Sequence, residues 1–262
     1  MHRTPPARAQ TSDDGERVER GLLPTPWISD PGVWVASAYR PSRDGGGALS
    51  GDFFDAIELP DGSIRAVIGD VSGHSADEAA LSACLRIAWR ALTLADGEEA
   101  DLLSTLERML AYERHDEDSF ATTCVLSVSA DRRELEMRLA GHPLPILVDR
   151  GGARLVHGAT RAPMGLETRS RWPVTRIEPD GPWSLLLYTD GLIEGHVGSG
   201  SERLGAERLV ELVQRLRPTA EAGGREAHEA FPTRLIERVT QLGGGELSDD
   251  VTALWLTLAP DR

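Results

Sequence analysis

The chain predicts an α+β fold in which sheets pack on each other with helices outside. Two observations carry that expectation. Strand-like runs come first, two helical patterns follow together, and further strand-like runs come after them, so the order is not the alternation of a parallel α/β sheet. Pro60-Asp61-Gly62, Asp131-Arg132-Arg133 and Arg150-Gly151-Gly152 fall between such runs, where turn residues join antiparallel neighbours.

Residues 1–17 are polar, with Pro5-Pro6 and Asp13-Asp14-Gly15, and read as a flexible tail. Residues 18–32 form a short linker or switch segment. A short helix over 16–23, stopped by Pro24 and Pro26, offers a surface for a homodimer. The folded domain spans 33–262. Its first strand is expected at 33–39, and a triple-glycine loop follows at 43–47. Strands at 53–59 and 63–68 flank Pro60-Asp61-Gly62, so antiparallel pairing brings Asp52 and Asp70, at the two outer ends, together.

A helix follows over 75–94, with Ala80, Leu81, Cys84, Leu85, Ala88, Ala91 and Leu92 on its inward face and Asp77 and Glu78 in its first turn. A second covers 98–114, with Leu102, Leu103, Leu106, Met109 and Leu110 inward. Strands are expected at 121–129, 134–140, 145–148, 153–157, 174–177 and 185–189. Helices follow at 206–216 and 225–241, with Pro232 marking a break or late start in the second. Loops fill 195–205 and 218–224, and the last strand covers 251–258.

Composition narrows the function. The chain has 262 residues, 40% of them apolar, which is enough for a real core. A net charge of −14 argues against nucleic acid or an anionic membrane as the main partner. Cys84 and Cys124 lack metal-ligand spacing and lie in apolar runs, so both read as buried thiols in a reducing compartment. No apolar run reaches membrane-spanning length, and no hydrophobic segment follows Arg3 and Arg8, so a cytoplasmic location is expected. Gly45-Gly46-Gly47 is not a P-loop, no Gly-x-Ser-x-Gly elbow is present, and the tryptophans are too scattered for a base-stacking platform.

Aspartates at the ends of apolar runs carry the chemistry. Asp52 stands in Ser50-Gly51-Asp52-Phe53-Phe54-Asp55, and Asp70 opens Gly69-Asp70-Val71-Ser72-Gly73-His74. Asp190 caps a strand in Tyr188-Thr189-Asp190-Gly191, and Asp249-Asp250 leads into Val251-Thr252. Converging carboxylates repel one another unless a cation neutralises them, and hard divalent ions take oxygen ligands. Each motif alone has a plainer reading. Asp70 sits where a helix-capping turn with Ser72 or Ser75 also fits, and Asp190 and Asp249-Asp250 fit solvated turns. One member of the Asp249-Asp250 pair is expected to act while the other faces solvent or holds Thr252. His142, in Ala140-Gly141-His142-Pro143, either makes a structural hydrogen bond or touches substrate, and His74 has the same two readings. Strand alternation puts Asp55 on the face opposite Asp52, which makes it structural. Glu194 reads as a solvated side chain or a hydrogen-bond partner.

Taken in order, these five motifs resemble the metal-dependent (PPM, 2C-type) protein serine/threonine phosphatases, in the bacterial SpoIIE-like branch. The resemblance covers about residues 33–258, and Arg20-Gly21-Leu22-Leu23-Pro24 resembles the segment before that domain. It implies a central β-sandwich of two antiparallel sheets flanked by helices, with two Mn²⁺ or Mg²⁺ ions in a cleft. Asp52, Asp70, the Val71 carbonyl, Asp190 and Asp249 are implied as ligands, with Asp70 bridging. Asp250, Gly73, His74 and His142 are secondary candidates, and Arg40 and Arg43 are candidates for phosphate by position.

The implied reaction is hydrolysis of phosphoserine or phosphothreonine by a metal-activated water. The implied partner is a phosphorylated signalling protein, an anti-sigma-factor antagonist of the STAS type. A phosphatase-fold binding module with little turnover and a small-molecule phosphatase are the alternatives. Ser50 and Ser75 stand where the family pattern has glycine, and Ala76-Asp77-Glu78 makes the next helix start acidic.

Overall fold

The computed structural model describes residues 24–41, 50–73, 75–95, 99–166, 171–198, 202–222, 224–245, 247 and 249–258, with backbone alone at 99–101 and 217–222. The predicted tail at 1–17, the helix at 16–23 with its dimer surface, Arg43 and His74 lie outside them.

The first sheet hairpin is β2 (Asp52–Glu58) and β3 (Ile64–Val71), preceded by β1 (Val33–Arg40). Two helices follow, α1 (Ala76–Leu94) and α2 (Glu99–Glu113). Next come β4 (Ala121–Val128), β5 (Leu135–Ala140), β6 (Ile146–Asp149), β7 (Gly152–Leu155), β8 (Thr160–Arg161), β9 (Thr175–Ile177) and β10 (Ser184–Tyr188). The chain closes with α3 (Gly191–Glu194), α4 (Gly205–Ala222), α5 (Gly224–Glu229), α6 (Phe231–Leu242) and β11 (Val251–Leu258).

Two sheets result. One runs β1-β11-β10-β6-β7, and the other runs β2-β3-β4-β5-β8 with β9 also on β5. Alternation sorts the side chains into layers. Phe54, Ala56, Ile64, Ala66 and Ile68 face inward to meet Leu147, Leu185, Leu187, Leu254 and Leu256 of the opposite sheet. Phe53, Ile57, Val67 and Val71 face outward under Leu85, Trp89, Leu103 and Leu106 of α1 and α2. The other sheet is covered in the same way by Leu209, Val213, Phe231, Leu235 and Val239 of α4 and α6. The segment before β1 is tied to β2: Trp27 pairs with Ile57, and Glu58 accepts from the Ser29 hydroxyl at 2.6 Å.

Four details differ from the sequence reading. The sheets are not wholly antiparallel, because the two-residue β8 joins β5 in parallel. A segment that short carries no periodicity to read. The helix expected to stop at 216 continues through Pro218 to Ala222. A one-turn helix, α3, follows Asp190, where none was expected.

The fourth difference is the buried stripe of α1. It comprises Ala79, Leu81, Ser82, Leu85, Ala88, Trp89 and Thr93, so Ala80, Cys84 and Ala91 are turned to solvent. The cause is Asp55. It is fully buried on the helix side of β2, where Arg90 grips it through Nε at 2.7 Å and Nη2 at 2.5 Å, with Arg86 3.7 Å away. A buried carboxylate needs its cations, and meeting that need aims Arg86, Trp89 and Arg90 at the sheet. Cys124 is buried as expected, and Cys84 is not. Among the described residues, no helix is long and apolar enough to cross a membrane.

His228 on α5 is buried beside Trp34 and Trp255, with ring centroids 5.5 and 6.3 Å away. Burial pushes its pKa down to about 4, against smaller opposing effects of the Trp34 backbone and Glu229. The folded chain therefore binds fewer protons than the unfolded one between about pH 4 and 6.5. This contribution is complete above about pH 6.5 and is lost as the pH falls toward 4, up to ~3 kcal/mol in all.

Two predictions follow from this packing. In His228→Leu, urea denaturation across pH 4–7 will give a flatter acid limb than wild type. An equal slope in both proteins refutes the assignment. In the folded protein a thiol reagent will titrate one cysteine rapidly, Cys84, and Cys124 will react only on unfolding. Two fast thiols, or none, contradict this orientation of α1.

Candidate metal centre

The site is built at the end of the sandwich where β2 begins and β3 ends. Asp52 and Asp70 are direct cross-strand partners, on the same face as Phe54 and Ile68, so both carboxylates point into the seam between the sheets. Asp70 is paired in turn with Thr122 on β4. The hairpin expected from the sequence brings the two acids together in this register.

Asp52 is buried, and the opposite sheet holds it. Thr189, just past β10, donates its hydroxyl to Asp52 Oδ2 at 3.0 Å, and Thr252 on β11 donates to the same oxygen at 2.8 Å. Thr189 Oγ1 also accepts the Thr252 backbone N–H at 2.9 Å. One carboxylate oxygen thus locks both sheets. Thr189 was assigned no role from sequence. Its signal was a hydroxyl at a fully buried position directly before an acidic turn.

The other donors converge on this point. Val71 N–H bonds to the Gly51 carbonyl at 3.1 Å. A Cβ added at Gly51 would collide with the Val71 carbonyl oxygen and lie 3.0 Å from Asp70 Oδ1. Glycine is therefore required there, and the Val71 carbonyl and the Asp70 carboxylate border one small space. From the other sheet, Asp190 opens α3, its carbonyl accepting from Ile193 and Glu194 at 2.8 and 2.9 Å. A side chain at Gly191 would strike the Asp250 carbonyl, so the Asp249-Asp250 loop sits against this turn. Asp249 is exposed and Asp250 half-buried.

The remaining candidates separate. Gly73 has φ +116°, a left-handed conformation suited to glycine, and is covered by the Glu78 side chain. His142 is buried, with Nδ1 2.9 Å from the Thr122 hydroxyl, a structural hydrogen bond rather than an exposed substrate contact. Arg40 reaches Thr240 on α6 at 3.0 Å, over the outer face of the sheet and away from the seam. Glu194 pairs with Arg203 at 2.9 Å. Asp55, as expected from alternation, lies on the other face of β2.

The two residues that depart from glycine have local work. Ser50 Oγ accepts the Asp52 N–H at 3.0 Å, which fixes the entry to β2. Ser75 caps α1: its hydroxyl accepts from Asp77 N–H at 3.2 Å, and Glu78 accepts the Ser75 N–H at 2.7 Å. This reciprocal capping box also explains the acidic helix start. The helix-cap reading and the candidate role of Asp70 therefore hold together, because the cap lies five residues further on.

Burial raises the carboxyl pKa of Asp52 well above the usual range, against the two threonine hydroxyls and with the charges of Asp250 and Asp190 adding to the rise. Burial likewise raises Asp70, reinforced by Asp52, Asp190, Asp249 and Asp250. Asp190 is raised by burial and by Asp249. These acids share one electrostatic field. Among the described residues, no three acidic, histidine or cysteine side chains close tightly enough to enclose an ion. The array is all oxygen, has a carbonyl beside a carboxylate, and would be relieved by positive charge. That donor set suits Mg²⁺ or Mn²⁺, which retain several waters and need few protein ligands.

Comparison with known proteins identifies the relatives of this chain. The family model described as Stage II sporulation protein E (SpoIIE) matches residues 60–259. Phosphoserine phosphatase RsbP of Bacillus subtilis is 24% identical over 181 residues, covering 68% of this chain and 44% of RsbP. The structure of the RsbU and RsbW domains of Rv1364c from Mycobacterium tuberculosis has a TM-score of 0.73 and 28% identity, over 90% of this chain and 65% of that one. The catalytic domain of the serine threonine protein phosphatase PstP, in complex with two manganese ions, has a TM-score of 0.58 at 17% identity, over 87% and 99%. The chain thus spans less than half the length of RsbP.

Removing one charge from this field should stabilise the metal-free protein. A carboxyl whose pKa is raised by folding contributes most below its unfolded pKa near 4, and the contribution is lost as the pH rises. At neutral pH, Asp70→Asn will raise the melting temperature of chelator-treated protein, at about 2–4 °C per kcal/mol for a chain of this size. Mn²⁺ will then stabilise wild type more than the variant in scanning fluorimetry. A lower melting temperature in metal-free Asp70→Asn refutes the shared field.

Proposed function

The chain belongs to the SpoIIE family, and from that membership and the carboxylate site we propose that it is a metal-dependent phosphoprotein phosphatase. It hydrolyses phosphoserine or phosphothreonine on a signalling protein, and residues 33–262 are its catalytic unit. The observation that carries this reading is the arrangement of Asp52 and Asp70 as cross-strand partners, with Asp190, Asp249 and Asp250 of the other sheet within their electrostatic reach. When bound, Mn²⁺ or Mg²⁺ supplies a Lewis acid that activates water and neutralises charge on the phosphoryl oxygens.

In this reading Asp52, Asp70, the Val71 carbonyl, Asp190 and Asp249 would hold two Mn²⁺ or Mg²⁺ ions. Thr189 and Thr252 both donate to Asp52 Oδ2, which fixes the carboxyl group and opposes part of the rise that burial imposes on its pKa. The rigid ends of β2, β3 and β10 hold the donors in place, so little reorganisation accompanies the reaction. Asp249 and Asp250 line the approach. Before charge is neutralised, the acid field repels a phosphate dianion, so substrate binding follows metal binding.

RsbP is named a phosphoserine phosphatase, and Rv1364c couples an RsbU domain to an RsbW domain. On that basis the proposed substrate is a small anti-sigma-factor antagonist of the STAS type, and the proposed location is the cytoplasm. Ser50 at the entry to β2 and Ser75 at the cap of α1 have local backbone roles, which supports turnover over a binding module.

The test is release of phosphate from a phosphoserine-bearing STAS-domain protein, compared with p-nitrophenyl phosphate. Release will require Mn²⁺ or Mg²⁺ and stop with chelator. Asp52→Asn and Asp70→Asn will each lower kcat/KM by about 100-fold or more, on the order of 3 kcal/mol of transition-state stabilisation. Metal-independent release, or full activity in Asp70→Asn, would refute the proposal.

A further inference from the structure

His142 has a place in the fold that the proposed reaction does not yet use. It follows β5 in one sheet, and the chain then runs beside β10 of the other, where Leu186 pairs with Ile146. Pro143 and Pro145 have no N–H, so the β6–β10 ladder cannot continue toward Asp190 through the backbone. The imidazole occupies that gap. Its Nδ1 is 2.9 Å from the Thr122 hydroxyl, and the Tyr188 backbone lies near the ring. Nε2 is buried without a hydrogen-bond partner among the described residues. Burial keeps the ring neutral, which leaves one nitrogen to donate and one to accept.

Each contact leads to the carboxylates in one step. Thr122 is the direct cross-strand partner of Asp70, and side chains opposite each other in a sheet are neighbours. Tyr188 is followed by Thr189, which holds Asp52, and by Asp190. The 2.9 Å bond to Nδ1 fixes the threonine rotamer opposite Asp70, whichever partner donates.

We propose that His142 is a positioning residue: through its bond to Thr122 it holds the side chain opposite Asp70, and so the place of that carboxylate among the donors. It touches neither substrate nor metal and acts on the geometry of the donors. This inference rests on the phosphatase reading for the use of the site. The contacts that carry it belong to the protein alone.

The test combines Mn²⁺ titration by calorimetry with steady-state kinetics on p-nitrophenyl phosphate, using His142→Asn, His142→Gln and Thr122→Val. Asparagine offers a polar group near the place of Nδ1, glutamine one near the place of Nε2, and Thr122→Val cuts the same link without touching the ring. Thr122→Val will weaken Mn²⁺ binding about 10-fold or more, as loss of an outer partner does in metal sites. His142→Gln will match it, His142→Asn will retain more affinity, and Thr122→Val combined with His142→Gln will be no worse than either alone.

Mn²⁺ affinity within twofold of wild type in both His142→Gln and Thr122→Val overturns the proposal, as do losses that multiply in the double variant. A wild-type protein that takes up no Mn²⁺ overturns the phosphatase reading and this one together. Intact uptake in wild type with unaffected variants overturns only the role of His142.

Discussion

The structure depends on one buried carboxylate oxygen shared by two sheets. Asp52 belongs to the β2 sheet, and both of its hydroxyl donors belong to the β10–β11 sheet. An apolar seam resists sliding only weakly, because dispersion and burial are non-directional. Two directed bonds to one oxygen fix the seam at this end. The far end is pinned differently. There Arg132 bonds the Gly62 carbonyl at 2.6 Å and Asp30 at 2.8 Å, and the Trp183 indole donates to the Arg132 carbonyl at 2.9 Å. An anion secures one end of the sandwich and a cation the other.

Two aspartates on β2, three residues apart, met different fates for that reason. Asp55 faces the helices and is held by Arg86 and Arg90, which makes it part of the scaffold. Asp52 faces the seam among acids, and among the described residues no cation pairs with it or with Asp70. A buried carboxyl group with donors but no counter-charge among the described residues is destabilising. In the proposed function a divalent ion would relieve that cost, a trade common at functional sites.

The supporting residues are arranged around those acids. Ser50 fixes the start of β2, the Ser75–Glu78 box begins α1 just past the Gly73 turn, and Gly51 lets the Val71 carbonyl approach. The residues that depart from glycine at 50 and 75 thus serve backbone order near the acids rather than disturbing them. Asp52, Asp70 and Asp190 lie within one electrostatic field in this arrangement.

The sequence by itself determined the order of the longer strands and helices, the β2–β3 hairpin and the identity of the acidic motifs. It also separated Asp52 from Asp55, because alternation along a strand is a local property. The inward leucines of α2 were legible for the same reason: a 3.6-residue period needs no partner to be seen. The rotation of α1 was not legible, since Ala80, Cys84 and Ala91 are as apolar as the residues that won, and only the Asp55–Arg90 pair across the layers decided between them. Nor was the donation by Thr189 and Thr252 to Asp52, which joins residues 137 and 200 positions away. The tertiary structure alone decided these points, because hydrogen bonds and ion pairs between layers depend on distances that no single segment encodes.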